Sequence, residues 1–195
     1  MEDRRLWLID AGYLFNAQKS VSPYYNFDYL KLKEKLKSFG EIWRTYYLNS
    51  TSNPPSDTQD SFHKWLQSGP PTGPGIITKL YQLKTSAIRD EYCKECQRKV
   101  SLVCPTDRSH ILLRTQQKGV DAGLVTLALT NMANYDTLIL SSGDGDLIDA
   151  VAYLTENGKR FELLVFKYGV STDLQARADK IHWINDFADE VKRCE

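Results

Sequence analysis

The sequence predicts an α/β fold, a mostly parallel sheet with helices on both faces. Three observations carry that expectation. Strand-like apolar runs alternate with helical patterns along most of the chain, as consecutive β-α-β units require. The run TLILSS, residues 137 to 142, has no polar alternation, which is how a strand buried on both faces is written. The length of 195 residues with 42% hydrophobic content supports one domain with a sizeable core and an insertion, but hardly two domains.

Taken in order, RRLWLID is a short first strand. FDYLKLKEKLKSFG places Tyr29, Leu32, Leu36 and Phe39 on one helical face, closed by Gly40, before a second strand, EIWRTYYL. SNPPSD is a loop into a helix around Phe62, Trp65 and Leu66, which SGPPTGPG ends with proline and glycine. IITKLYQLKTSAI is expected as one extended strand. After a cysteine-bearing insertion at about 90–110, HILLRT resumes as strand and GVDAGLVTLALTNMA as a helix apolar on most sides. TLILSS is then strand, DGDLIDAVAYLTENG helix with Gly158 near its end, FELLVF strand, and STDLQARADKI a helix with Ser171 as its N-cap. There is no internal repeat.

Lysine plus arginine and aspartate plus glutamate balance at 25 each, so no global positive field draws in nucleic acid or a membrane. An anionic substrate would need a local basic patch or a metal. The opening MEDRRLWLID lacks an apolar stretch of signal-peptide length, and no segment approaches the roughly 18 apolar residues of a membrane helix. The expectation is a cytoplasmic protein without a membrane partner. Its four cysteines are then thiols or metal ligands rather than disulfides.

In an open α/β sheet, ligands bind beyond the carboxyl ends of the strands. Asp10 ends the first strand, Asp144 ends TLILSS, and Asp121 opens a helix that itself follows a strand, so three carboxylates from distant segments are expected at one edge. Each alone is an ordinary helix-capping aspartate. Together they repel one another, and a hard divalent cation such as magnesium or manganese suits such a set.

Four segments, WLIDAGYLF (7–15), QKGVDAGLVTLAL (117–129), TLILSSGDGDLIDAV (137–151) and STDLQARADKIHWI (171–184), resemble in that order the NYN domain. They are most similar to its LabA-like (DUF88) branch, related to PIN-domain ribonucleases. The resemblance spans residues 1–195 as a single domain apart from the insertion. It implies a PIN-like three-layer α/β/α sandwich and an acidic, metal-dependent nuclease centre usually directed at RNA. Carried over by motif, it marks Asp10, Asp121 of KGVD, and Asp144 with Asp146 of SGDGD as catalytic and as ligands for Mg2+ or Mn2+. Many relatives have asparagine three residues after the first aspartate; this chain has Tyr13, and Asn16 is not an evident replacement.

Those residue types fit phosphodiester hydrolysis, because carboxylate-held magnesium supplies an activated water and neutralises phosphoryl charge without a histidine base. Asp149 falls one turn into the following helix, either behind the ligands or simply exposed. Gly143 and Gly145 would let backbone approach metal or phosphate, although a tight turn alone explains glycine. Lys118, Lys167 and Tyr13 are candidate substrate contacts, with Tyr168 beside Lys167. Lys31, Lys33, Lys35 and Lys37 lie off the apolar face of their helix, where solvation is the simpler role than phosphate contact. Tyr24 and Tyr25 could stack bases, but tyrosines at a core edge are commoner.

The insertion CKECQRKVSLVCPTDRSH carries Cys93 and Cys96 at zinc-knuckle spacing and Cys104 beyond a strand-like crossing. Asp107 stands where a second C-x-x-C would end, whereas His110 is chemically the better fourth ligand. Cys93, Cys96, Cys104 and His110 are therefore the expected structural zinc set, with metal-free thiols as the other reading; Cys194 is expected to be unengaged. The function expected overall is a magnesium- or manganese-dependent ribonuclease. The alternatives are a non-catalytic RNA-binding or regulatory module, a DNA or structure-specific nuclease, or a phosphatase of similar geometry.

Overall fold

The structure, a computed structural model, describes residues 3–52 and 54–194. Its centre is a six-stranded, wholly parallel sheet. Strands β1 (Arg5–Asp10), β2 (Ile42–Thr51) and β3 (Ile77–Gln82) run outward to one side. Four further strands form an arm. Then β8 (Thr137–Ser141) returns to the other flank of β1, followed outward by β9 (Arg160–Val165) and β10 (Lys180–Trp183). The reversal of order between β1 and β8 leaves a crevice at their carboxyl ends, since the connections depart in opposite directions there.

Alternation along the strands builds two cores. Trp7 and Ile9 of β1 and Ile139 of β8 face one layer, where they meet α1 (Ala11–Ala17), α2 (Tyr29–Lys37), α3 (Asp57–Gln67) and α7 (Ala188–Val191). Leu6, Leu8, Leu138 and Leu140 face the other, against α4 (Val120–Thr130), α5 (Ile148–Glu156) and α6 (Thr172–Arg177). All five residues of β8 are buried, so its lack of polar alternation is a consequence of being covered twice. This is the three-layer α/β/α sandwich. No helix among the described residues is long and apolar enough to cross a membrane.

Local chemistry fixes the helix starts. Asp28 accepts the N–H groups of Leu30 and Lys31 at the head of α2, and Ser56 and Gln59 form a reciprocal capping box at the head of α3. At the amino edge of the sheet, Arg5 and His182 both meet the buried Glu162, at 3.3 and 2.8 Å. Burial pushes the Glu162 carboxyl up, but the His182 hydrogen bond and the Arg5 charge outweigh it, leaving it below the usual carboxylate range.

Some elements depart from the sequence expectation. IITKLYQLKTSAI is two strands: β3 closes the sheet as its edge, and at Leu83, whose N–H goes to Thr51, the chain peels away into β4 (Lys84–Ile88). An edge strand has no further neighbour to hold the chain beyond it, and Lys84–Ala87 are all exposed. HILLRT does not rejoin the sheet; β7 (Leu112–Gln116) pairs antiparallel with β4, and its residues from Leu113 to Gln116 are exposed. Between them β5 (Asp90–Cys93) and β6 (Arg98–Ser101) form a second antiparallel pair, the hairpin expected of the insertion. Three elements were not anticipated, one of them the short α7 near the carboxyl end of the described residues. α1 follows β1 with no linker, and β10 lies in KIHW, which reads as the tail of α6.

Candidate active site

Because Ile9 pairs with Ser141 in parallel register, the next residues along, Asp10 and Ser142, stand side by side at the carboxyl edge, at the reversal of strand order. Asp10 caps α1 by accepting the Tyr13 N–H at 3.1 Å. Its other oxygen accepts a hydrogen bond from the Ser142 hydroxyl at 3.2 Å. That hydroxyl in turn accepts the Asp144 N–H, and the Asp144 carboxylate accepts the Asp146 N–H, which tightens the start of α5 into a short 3-10 turn. TLILSS therefore ends at Ser141, and Asp144 lies three residues beyond the strand rather than at its last position.

Asp121 arrives from the opposite wall, in the first turn of α4. The strand before α4 belongs to the arm, so Asp121 is placed by the packing of α4 across β1 and β2 and by Tyr81 of the edge strand β3. Gly119 takes the left-handed backbone (φ 89°) and Gly123 lies under the Tyr81 hydroxyl, so that side chains at these two positions would collide with the Tyr81 ring. The two glycines of KGVDAG thus seat the helix end against the edge strand. Gly143 has a separate reason: a Cβ there would overlap the carbonyl oxygen of Gly169, and Gly143 itself accepts the Ser171 N–H at 2.9 Å.

The result is an open cleft of about 480 Å³ whose walls include Asp10, Asp121 and Asp144 together with Lys118, Gln117 and Tyr168. Burial, then the charge of Asp121, hold Asp10 above the ordinary carboxylate range; the hydrogen bonds from Tyr13 and Ser142 only partly offset this. Burial, then Asp144 and Asp146, raise Asp121 likewise. Among the described residues no lysine, arginine or histidine lies within ion-pair distance of these four aspartates.

The other expected residues fall in varied places. Asp146 and Asp149 are exposed and outside the cleft walls. The Tyr13 ring lines the cleft, but its hydroxyl is committed to the carbonyls of Phe166 and Tyr168 at 3.0 and 3.1 Å. Lys167 is paired with Asp186, away from the cleft. Asn16 does line it, one helical turn after Gly12, whose carbonyl accepts its amide. Tyr25 is a core residue that donates to Ala188, while Tyr24 is fully out in solvent and not in the cleft. Lys31 and Lys33 donate to backbone carbonyls, and Lys35 and Lys37 pair with Glu190 and Glu34, so the lysine face of α2 is internally engaged. Cys194 is engaged too, 3.1 Å from the Lys31 ammonium.

Ser142 and Gln117 were missed. A serine fully buried at the end of an apolar strand was the available signal for the first; the second stands next to Lys118 in QKGVD and lies over Gly12. Among the described residues no three Asp, Glu, His or Cys side chains gather closely enough to share one ion. This holds for the aspartates and also for Cys93, Cys96, Cys104 and His110. The aspartates still suit magnesium or manganese: magnesium keeps several waters and is usually held by one or two carboxylates plus substrate phosphate.

In a parallel α/β protein of three layers, the switch point where these carboxylates converge is the place at which ligands bind. The chain belongs to the NYN domain family, whose model matches residues 6–185. That family places it in the PIN-like nuclease superfamily, whose members act on nucleic acids and are generally dependent on divalent metal. Among solved structures it is similar to a protein of unknown function from Vibrio parahaemolyticus, with a TM-score of 0.68 at 19% identity, covering 98% of this chain and 97% of that one. At that identity the likeness concerns the fold. Comparison with curated proteins yields no match.

Proposed function

We propose that this protein is a magnesium- or manganese-dependent ribonuclease of the LabA-like branch, with Asp10, Asp121, Asp144 and Asp146 as its metal-binding carboxylates. The observation that carries the proposal is the meeting, in one open cleft, of Asp10, Asp121 and Asp144, with no cation among the described residues in ion-pair distance, and with Asp10 raised by the charge of Asp121 and Asp121 by those of Asp144 and Asp146. Such a set destabilises the empty protein and is relieved by a divalent ion.

When bound, the metal supplies a nucleophilic water at neutral pH and neutralises charge on the phosphoryl oxygens. The chain's own residues do the rest. Ser142 orients the Asp10 carboxylate on the cleft wall. Lys118, which also lines the cleft, meets the phosphate backbone as a point charge. The exposed Tyr168 ring beside the cleft offers a stacking face for an unpaired base. The arm contributes a positive approach to the cleft, since residues 84–116 hold seven basic against four acidic side chains and lead directly into Gln117 and Lys118. A single strand can follow that path. A cytoplasmic location is consistent with such a substrate.

The test is cleavage of labelled single-stranded RNA with Mg2+ or Mn2+, alongside a DNA strand of the same sequence, for the wild type, Asp144→Asn and an EDTA control. Cleavage of RNA that is lost with EDTA and with Asp144→Asn is the expected result. Binding without cleavage under every metal condition would make the protein an RNA-binding module, and equal cutting of DNA would remove the ribonuclease preference.

A further inference from the structure

The arm poses a problem of stability that the cleft does not explain. From residue 82 to residue 119 no side chain is buried. Its strands are two short antiparallel pairs, Lys84–Ile88 with Leu112–Gln116 and Asp90–Cys93 with Arg98–Ser101. Isolated two-stranded hairpins are at best marginal in water, and segments below about 40 residues without a core usually need a disulfide, a metal or a partner. The arm's cysteines are all free thiols.

The same local construction occurs twice in the arm. Cys93 ends β5 and Cys96 lies in the turn that follows it, which Gln97 leaves in the left-handed region at φ 53°. Cys104 likewise stands just before a bend, after which the His110 N–H returns to the Asp107 carbonyl at 3.1 Å. His110 completes the second turn, its Nδ1 lying 3.6 Å from the Cys104 sulfur, while Nε2 faces Asp107 at 3.4 Å. In the structure these are two half-sites, Cys93 with Cys96 and Cys104 with His110, not yet gathered about one point. Only Leu102 and Val103 separate the end of β6 from Cys104, and both are outside any strand, so this short link is where the half-sites can close.

We propose that the arm binds one Zn2+ tetrahedrally through Cys93, Cys96, Cys104 and His110, joining the two half-sites and fixing the arm's shape. Three thiolates and one imidazole are a structural zinc set, closed to substrate. Asp107 then serves as the outer partner of the His110 ring, orienting it, and is not a ligand. The site is separate from the acidic cleft and does not depend on the nuclease assignment.

The experiment is metal analysis of the reduced full chain purified from zinc-supplemented medium, followed by removal of metal and titration with Co2+. The expected result is about one zinc per chain, and a cobalt spectrum with thiolate-to-metal charge transfer and tetrahedral d–d bands. Cys93→Ser, Cys104→Ser and His110→Ala should each weaken binding at least tenfold, whereas Asp107→Ala and Cys194→Ser keep the stoichiometry. Limited trypsin digestion should cut the metal-free arm around Arg98 and Lys99 at least tenfold faster while residues of the sheet stay protected. Zinc well below one per chain together with a featureless cobalt titration overturns the proposal. So does stoichiometric metal that survives both Cys104→Ser and His110→Ala.

Discussion

The hydroxyl of Ser142 joins two carboxylate-bearing segments: it donates to Asp10 Oδ2 at 3.2 Å and accepts the N–H of Asp144 at 3.3 Å. A single buried side chain thus sets the position of Asp10 relative to the loop that follows β8. Ser142→Ala removes both bonds and leaves the fold otherwise intact. A group that orients metal-binding residues typically costs 10–100-fold in affinity or activity when lost. We therefore expect cleavage to fall by about that factor, with a higher Mg2+ concentration needed for half-maximal rate. A metal titration of the rate, beside a melting curve shifted by only a few degrees, checks this.

Gly143→Ala tests the packing of the same loop against Gly169. The added methyl meets a backbone carbonyl, which cannot swing aside as a side chain can. Overpacking of this kind costs about 1–3 kcal/mol, or roughly 2–4 °C in melting temperature per kcal/mol for a domain of this size. Calorimetry should show that loss, and cleavage should fall further than stability because Asp144 moves with the loop.

Lys118 and Lys167 make a paired comparison. Lys118 stands on the cleft wall, whereas the Lys167 ammonium is held by Asp186. Lys118→Ala should weaken RNA binding several-fold and lower the slope of binding against log salt by about 0.7, the single-strand value for one phosphate contact. Lys167→Ala should leave both unchanged. Filter binding from low to moderate salt separates them, and a reversed order would move the RNA path away from the Lys118 wall.

The buried Glu162 between Arg5 and His182 predicts an acid limb of stability. Its folded pKa is depressed below the usual 4.5, so its contribution is complete above about pH 4.5 and is lost as pH falls through the folded value. Glu162→Gln removes one of the two carboxylates that meet Arg5, Asp3 staying at 3.0 Å, and weakens the buried bond to His182, which together cost about 1–3 kcal/mol at neutral pH. Its stability should also fall less steeply than the wild type below about pH 4.5. Urea midpoints measured from about pH 3 to 7 for both proteins give the two slopes directly.

Alternation decided how much of this was legible in the chain. The expected parallel sheet, its two covered faces and the helices around Leu32, Leu66, Leu124 and Val151 follow from which residues are apolar at what spacing, and burial in the structure follows the same pattern. KGVD and SGDGD marked the carboxylates, and the NYN family model covers the segments that hold them. The sequence could also say that Cys93 and Cys96 share one turn, because C-x-x-C spacing holds both within four residues. Tertiary structure alone decided where β7 goes, since HILLRT pairs with β4 only because the sheet already ends at β3. It alone decided that Tyr81 helps to seat Asp121, that the α2 lysines are occupied, and that Ser142 ties Asp10 to Asp144. The physical reason is separation along the chain. Periodicity and capping act within a few residues, whereas these contacts join positions that only the register of β1 with β8 and the edge at β3 bring together.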